Sequence, residues 1–362
     1  MLTLFPMKNN SEAFVKLLTL ILGLMVGVTL LVVIIIGTVF LAHNPNILGA
    51  SKDAGVAVQS AAAPVEKEIY RGVAPKEGMW QAPEWTTVDA EPNADLIKYG
   101  KELVANTSEY LGPQGKVRKM SNGMNCQNCH LNAGTAPLGN NYGAVASTYP
   151  KVRARSGQME DIPKRINDCF ERSLNGKPLE RNSREMQAMV AYMEWLGKDV
   201  PKGETPQGAG IYELAYLDRP ADPIKGKTAY AQLCQSCHME DGQGMMKPDK
   251  TGYIYPPLWG ENSYNEGAGL FRMSRFAGYV KTNMPLGATF ERPLLTDEQA
   301  WDVAAYVNSL PRPKKDLSAD WPDISKKPID HPFGPFSDGF TEEQHKFGPF
   351  KLIKEARQVA AK

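Results

Sequence analysis

Histidine and cysteine are both scarce, five of each in 362 residues. So few of either excludes a zinc-finger array, and the length excludes a disulfide-stapled mini-protein. Net charge is nearly absent as well: 41 Lys and Arg stand against 40 Asp and Glu, a formal +1. That balance argues against a nucleic-acid binder, which carries a basic excess. What is present is globular composition, 42% hydrophobic and 22% charged, in a chain long enough for two ordinary domains. Twenty-seven Pro and 32 Gly point to long loops.

Charge is missing altogether from Leu17 to Ala42, 26 residues of LLTLILGLMVGVTLLVVIIIGTVFLA. As a helix this run is about 39 Å long, more than the roughly 30 Å hydrocarbon core of a bilayer. A secretory signal has a shorter apolar region and a small-residue cleavage site, and neither fits here. The run therefore reads as a membrane anchor. Lys8 and Lys16 precede it, so the positive-inside rule leaves residues 1–16 in the cytoplasm and the rest on the periplasmic side. Residues 43–64, rich in Ala, Ser and Gly past Gly49, read as a flexible linker.

Four of the five cysteines fall in two C-x-x-C-H motifs, Cys126-Gln127-Asn128-Cys129-His130 and Cys234-Gln235-Ser236-Cys237-His238. Such a motif attaches a c-type haem: the thiols form thioethers to the porphyrin and the His binds iron. The motifs lie 108 residues apart and their surroundings match. Tyr99-Gly100-Lys101 and Lys225-Gly226-Lys227 precede them, read as helix starts. Amphipathic helices follow, Arg184 to Leu196 and Thr296 to Leu310, with Ser183 and Thr296 as N-caps and Glu298 near a capping-box position. The expected fold is mainly α, two tandem cytochrome c domains each binding one covalent haem, at 65–200 and 225–312. Between them lies a Pro- and Gly-rich linker, 201–224, and 313–362 forms a C-terminal tail expected to pack on the body, since Phe333-Gly334-Pro335-Phe336 and Phe347-Gly348-Pro349-Phe350 repeat an aromatic pattern that a disordered tail would not need.

The iron's sixth position needs another donor. His130 and His238 are proximal, His43 sits at the membrane edge, and His331 and His345 lie in a loop-like tail. In the second half Met284-Pro285, 46 residues after His238, is the leading candidate, with Met273 its competitor. In the first half the matching place holds Cys169, the fifth cysteine, 39 residues after His130. A free Cys is commonly a buried small hydrophobe, but its thiolate is also a soft iron ligand. On a helix beginning at Pro163 and stopping at Asn175-Gly176, Arg165, Cys169 and Ser173 share one face. With Arg153, Arg155 and Arg172 nearby they form an anion site centred on sulfur.

The segment Arg165 to Gly176, RINDCFERSLNG, resembles the dihaem thiosulfate dehydrogenase/tetrathionate reductase family. Asn283-Met284-Pro285-Leu286-Gly287 and the tail DHPFGPFSDGF…QHKFGPF are similar to it too, so the likeness spans roughly residues 65–350. The resemblance implies His130 and Cys169 as ligands of an active-site haem, with Arg155, Arg165 and Ser173 contacting substrate. It implies His238 and Met284 as ligands of a second, electron-transfer haem. Where members exchange that Met, they use a second Met in the Gly-Ala-Gly-x segment, a position occupied here by Leu270. The implied activity is coupling of two thiosulfates to tetrathionate, possible in either direction, with a c-type cytochrome or respiratory complex as redox partner. Two other classes fit a dihaem chain: an anchored electron carrier without a substrate site, and a dihaem peroxidase with an open iron position.

Overall fold

The computed structural model describes residues 11–43 and 78–360. These fall into two units, one holding the N-terminal helix and one the rest. Helix α1, Ser11–His43, contains a 22-residue stretch, Val15–Ile36, of mean hydropathy 3.0. Among the described residues it is the one helix long and apolar enough to cross a membrane. Beyond His43, the linker over 43–64 lies outside the described residues.

In the body, α2 (Ala94–Ala105) and α3 (Thr107–Leu111) lead into a 3₁₀ turn at Cys126–Asn128 and α4 (Leu131–Gly134). Strand β1 (Gly139–Asn141), α5 (Val145–Thr148) and the hairpin β2 (Lys151–Arg153) and β3 (Gln158–Glu160) follow. Two longer helices, α6 (Ile162–Arg172) and α7 (Arg184–Leu196), close the first half. The second half runs β4 (Gly210–Ile211), α8 (Pro223–Leu233), α9 (Gln235–His238), β5 (Met245–Met246) and β6 (Tyr253–Tyr255). It ends in α10 (Met273–Asn283) and α11 (Asp297–Ser309). The body is mainly α; among the described residues the strands form three antiparallel pairs, β1–β4, β2–β3 and β5–β6.

The same helix pair builds each half: α2 packs along α7, and α8 along α11. Apolar residues at helical spacing bury the facing stripes, Met186, Met189, Tyr192 and Met193 on α7 and Ala300, Trp301, Ala304 and Val307 on α11. Gly100 and Gly226 do not start these helices. Each lies inside its helix at the crossing, where an added Cβ would sit 2.0 Å from the Ala188 carbonyl oxygen and 1.8 Å from that of Asp302. The repeated glycine marks a close backbone approach. Ser183 and Thr296 cap as expected, but the capping-box partner of Thr296 is Gln299, not Glu298, since it stands at the third helical position.

Residues 201–224 are more than a connector. β4 pairs with β1, Leu214 and Ala221 are buried, and Arg219 forms a two-pronged ion pair with buried Asp302 at 2.8 and 2.9 Å. The two halves meet directly: Tyr279 Oη donates to the Asn128 carbonyl at 2.8 Å, and Asn265 Nδ2 to the Glu171 carbonyl at 2.8 Å. The tail is not loop-like throughout. It forms α12 (Glu342–Phe347) and α13 (Phe350–Ala360), with Phe350 and Ile353 buried and Phe350 against Trp301. His345 is fully buried between the Ile329 carbonyl, 2.7 Å, and Asp338, 2.9 Å; His331 lies against Trp321.

Candidate active site

Helix α6 starts where Asp161 caps the Lys164 N–H at 3.0 Å and Pro163 enters the first turn. It ends at Arg172, and Ser173 follows as C-cap, its N–H donating to the Cys169 carbonyl at 2.8 Å. One turn apart on this helix, Arg165 Nη1 donates to Cys169 Sγ at 3.3 Å. The negative charge available at Cys169 pushes the Arg165 pKa up, against the effect of its burial.

Cys169, Arg165 and Ser173 line one cleft together with Cys126, Cys129 and His130, open to solvent at its mouth. Met189, Met193 and Phe170 supply apolar walls. The structure thus brings the first C-x-x-C-H motif and the Cys169 helix face to one place. Arg155 sits behind, not on the lining. Its guanidinium donates to the Gly267 carbonyl at 2.6 Å, lies over the Trp321 ring at 4.5 Å and stands 3.8 Å from Asp320. Burial, helped by Arg172, pushes the Arg155 pKa down to about 10. Arg172 grips Asp320 with two bonds of 2.9 Å, and Arg153 donates to Tyr149 Oη at 2.8 Å.

In the second half, His238 ends α9, while Met284 caps the end of α10, half-buried, its N–H bonded to the Val280 carbonyl at 3.0 Å. The competitor Met273 is the first residue of the same helix and buried in the core. The two methionines are thus at opposite ends of α10, about 16 Å apart at 1.5 Å per residue. Leu270 is buried in the turn before α10.

Comparison with known proteins adds to this geometry. Residues 116–201 match the SoxA/TsdA cytochrome c domain, and 224–311 match the cytochrome c family. The chain is 41% identical over 230 residues to a thiosulfate dehydrogenase of Allochromatium vinosum, covering 61% of this chain and 83% of that one. A thiosulfate dehydrogenase of Psychrobacter arcticus is 36% identical over 243 residues, 66% and 71% of the two chains. The chain belongs to the thiosulfate dehydrogenase family. A solved thiosulfate dehydrogenase from Marichromatium purpuratum superimposes with a TM-score of 0.60 at 30% identity, over 66% of this chain. The match spans half the length of that structure's chain. As a thiosulfate dehydrogenase family member with two cytochrome c domains, the chain is an oxidoreductase of sulfur compounds with two covalently bound c-type haems.

The residues fit such haems. His130 Nδ1 faces the Asn140 carbonyl at 2.6 Å, and His238 Nδ1 the Pro256 carbonyl at 2.9 Å. A carbonyl only accepts, so Nδ1 carries the proton and Nε2 is the nitrogen left to ligate iron. Burial pushes His130 down to about 4 and lowers His238 too, keeping both neutral as ligation requires. Burial likewise pushes the Cys126, Cys129 and Cys234 thiols up to about 12, as apolar surroundings do before thioethers form.

Sequence reasoning missed Asp320 and Trp321. They stand 148 and 149 positions past Arg172 in a tail segment without motif, and no spacing rule joins them to α6. It also missed Tyr142, which stacks on His130 with ring centres 4.5 Å apart.

Proposed function

We propose that the chain couples two thiosulfates to tetrathionate, 2 S₂O₃²⁻ → S₄O₆²⁻ + 2 e⁻, in the cleft between His130 and Cys169. The observation that carries this reading is the Arg165–Cys169 contact, 3.3 Å, inside the cleft that the first haem motif lines. Ser173, on the same lining, offers a hydroxyl to a sulfonate oxygen. Arg165, with Arg155 behind it, offsets the repulsion between two dianions by charge-assisted hydrogen bonds.

Cys169 can carry the sulfur between the two substrates. In the first step its thiolate forms an S–S bond to the outer sulfur of one thiosulfate, giving Cys–S–S–SO₃⁻ and releasing two electrons. In the second, another thiosulfate attacks that outer sulfur, forming S₄O₆²⁻ and restoring the thiolate. No proton is transferred in the sum. His130 and Cys169 would hold the first haem and His238 and Met284 the second; the two haems would supply one-electron acceptors, and His/Met ligation would give the second the higher potential. The reverse reaction uses the same groups.

Helix α1 anchors the body on the periplasmic side in this reading, where a c-type cytochrome or a respiratory complex takes the electrons. Residues 65–200 and 225–312 form the two haem domains, and 313–362 the packed tail. Anaerobic addition of thiosulfate to the oxidised holoprotein tests the function. Haem reduction with formation of one tetrathionate per two thiosulfates supports it. An unchanged spectrum would leave the electron-carrier reading in its place.

A further inference from the structure

Tyr149 follows α5 and lies on the lining of the cleft that Arg165, Cys169 and Ser173 share. It is 5% exposed, and Arg153 Nη1 donates to its Oη at 2.8 Å. A guanidinium only donates, so this bond uses a lone pair of the phenol oxygen and leaves the phenol's own proton free to donate. Among the described residues it is the one hydrogen bond the hydroxyl makes. Arg153 is itself held from behind: its Nε stands 3.9 Å from Oε2 of Glu160, a carboxylate only 3% exposed.

On the cleft side positive charge prevails. Lys151 Nζ lies 4.7 Å from the centre of the Tyr149 ring. Burial raises the Tyr149 pKa, and of the charges opposing that rise Arg165 is the largest, ahead of Arg153. The hydroxyl thus stands between two guanidiniums, one that fixes its oxygen and one that donates to the Cys169 sulfur at 3.3 Å. A buried O–H without an acceptor is unfavourable, and cations around it favour an anion as that acceptor.

We propose that Tyr149 donates its O–H to an oxyanion held in the cleft, with Arg153 as the positioning residue that orients the phenol. Two oxyanions suit this place. One is the sulfonate of thiosulfate; the other is a propionate carboxylate of the first haem, whose attachment residues Cys126 and Cys129 line the same cleft. Each takes the phenol proton in the same way. The sulfonate source rests on the thiosulfate reading above, and the propionate source on haem binding alone.

Tyr149→Phe removes one oxygen and keeps the ring, and two measurements on the holoprotein separate the sources. These are the thiosulfate KM and a redox titration of both haems without substrate. A KM raised about tenfold to a hundredfold with both midpoint potentials unchanged assigns the sulfonate. A lower midpoint potential at one haem assigns the propionate, whatever happens to KM, because a propionate that loses a donor favours ferric iron. If neither KM nor potential moves, the hydroxyl only holds Arg153 in the fold, and the proposal is overturned. A parent protein that thiosulfate does not reduce would remove the thiosulfate reading, and the potentials alone would then decide the Tyr149 proposal. Should Tyr149→Phe yield no haem-loaded protein, Arg153→Met is measured in its place. It should move the same quantity in the same direction by a smaller step, and no movement overturns the proposal.

Discussion

The two halves of the body share a scaffold and part company at the sixth-ligand position. Each pairs an early helix with a late one across a glycine, Gly100 on Ala188 and Gly226 on Asp302. Each ties its motif histidine through Nδ1 to a carbonyl, Asn140 or Pro256. Between motif and final helix they differ. Each half has one eleven-residue helix there, but in the first that helix, α6, carries Cys169 in mid-helix with Arg165 bonded to its sulfur, in a cleft open to solvent. The second ends α10 on Met284, a neutral thioether after the last helical residue. The lesson is that one scaffold serves both halves, and the helix before the last one sets what stands near each motif histidine: a cysteine with a guanidinium on its sulfur in the first, a thioether at the helix end in the second.

The comparison breaks most completely at Cys169. Cys169→Ala should abolish thiosulfate–tetrathionate turnover while mass spectrometry still finds two attached haems, since the attachment cysteines are elsewhere. Near-parental turnover in this variant would remove the proposed mechanism.

Next come the glycines, which test the shared part. Gly226→Ala drives a Cβ into a main-chain carbonyl that only a helix shift can relieve, costing about 1–3 kcal/mol or more. Gly100→Ala should cost a similar amount by thermal unfolding. A large effect at one and none at the other would mean the halves are not built alike.

Arg165→Ala follows. Loss of a charged hydrogen bond of about 1.5–3 kcal/mol should raise the thiosulfate KM about tenfold to a hundredfold. The same substitution leaves both covalent haems in place. An unchanged KM would show that Arg165 serves the cysteine and not the substrate. The smallest effect on turnover belongs to Met284→Ala. It should retain both haems, lower the potential of the second or open its sixth site, and slow electron exit. An unmoved spectrum and potential would point to another ligand, with Met273 first to be examined.

The repeat, the haem motifs and the Cys169 helix were legible because each rests on residues close together in the chain. Periodicity and caps located α6, α7 and α11, since local hydrogen bonds and apolar stripes decide helices. Gly100 and Gly226 were visible as a repeat but misjudged, because their meaning depends on a partner helix some 80 residues away. Asp320 and Trp321, which meet Arg172 and Arg155, left no trace in the sequence. Each joins groups far apart in the chain through burial and charge, and no period or spacing encodes such a meeting. The tail's two helices were short and set among prolines, so composition alone read as loop.

One feature of the tail bears on how the molecule is made. Asp320 is the counter-charge for Arg172 and stands beside Arg155, yet it lies more than 80 residues past the second haem motif. A ribosome has therefore issued both attachment motifs well before the carboxylate exists to draw those guanidinium groups together. A chain interrupted ahead of Leu317 would hold every cysteine needed for two haems and still have an unfinished anion site. Such a product would be coloured, covalently loaded and poor at its chemistry, so its red colour is no measure of a completed enzyme.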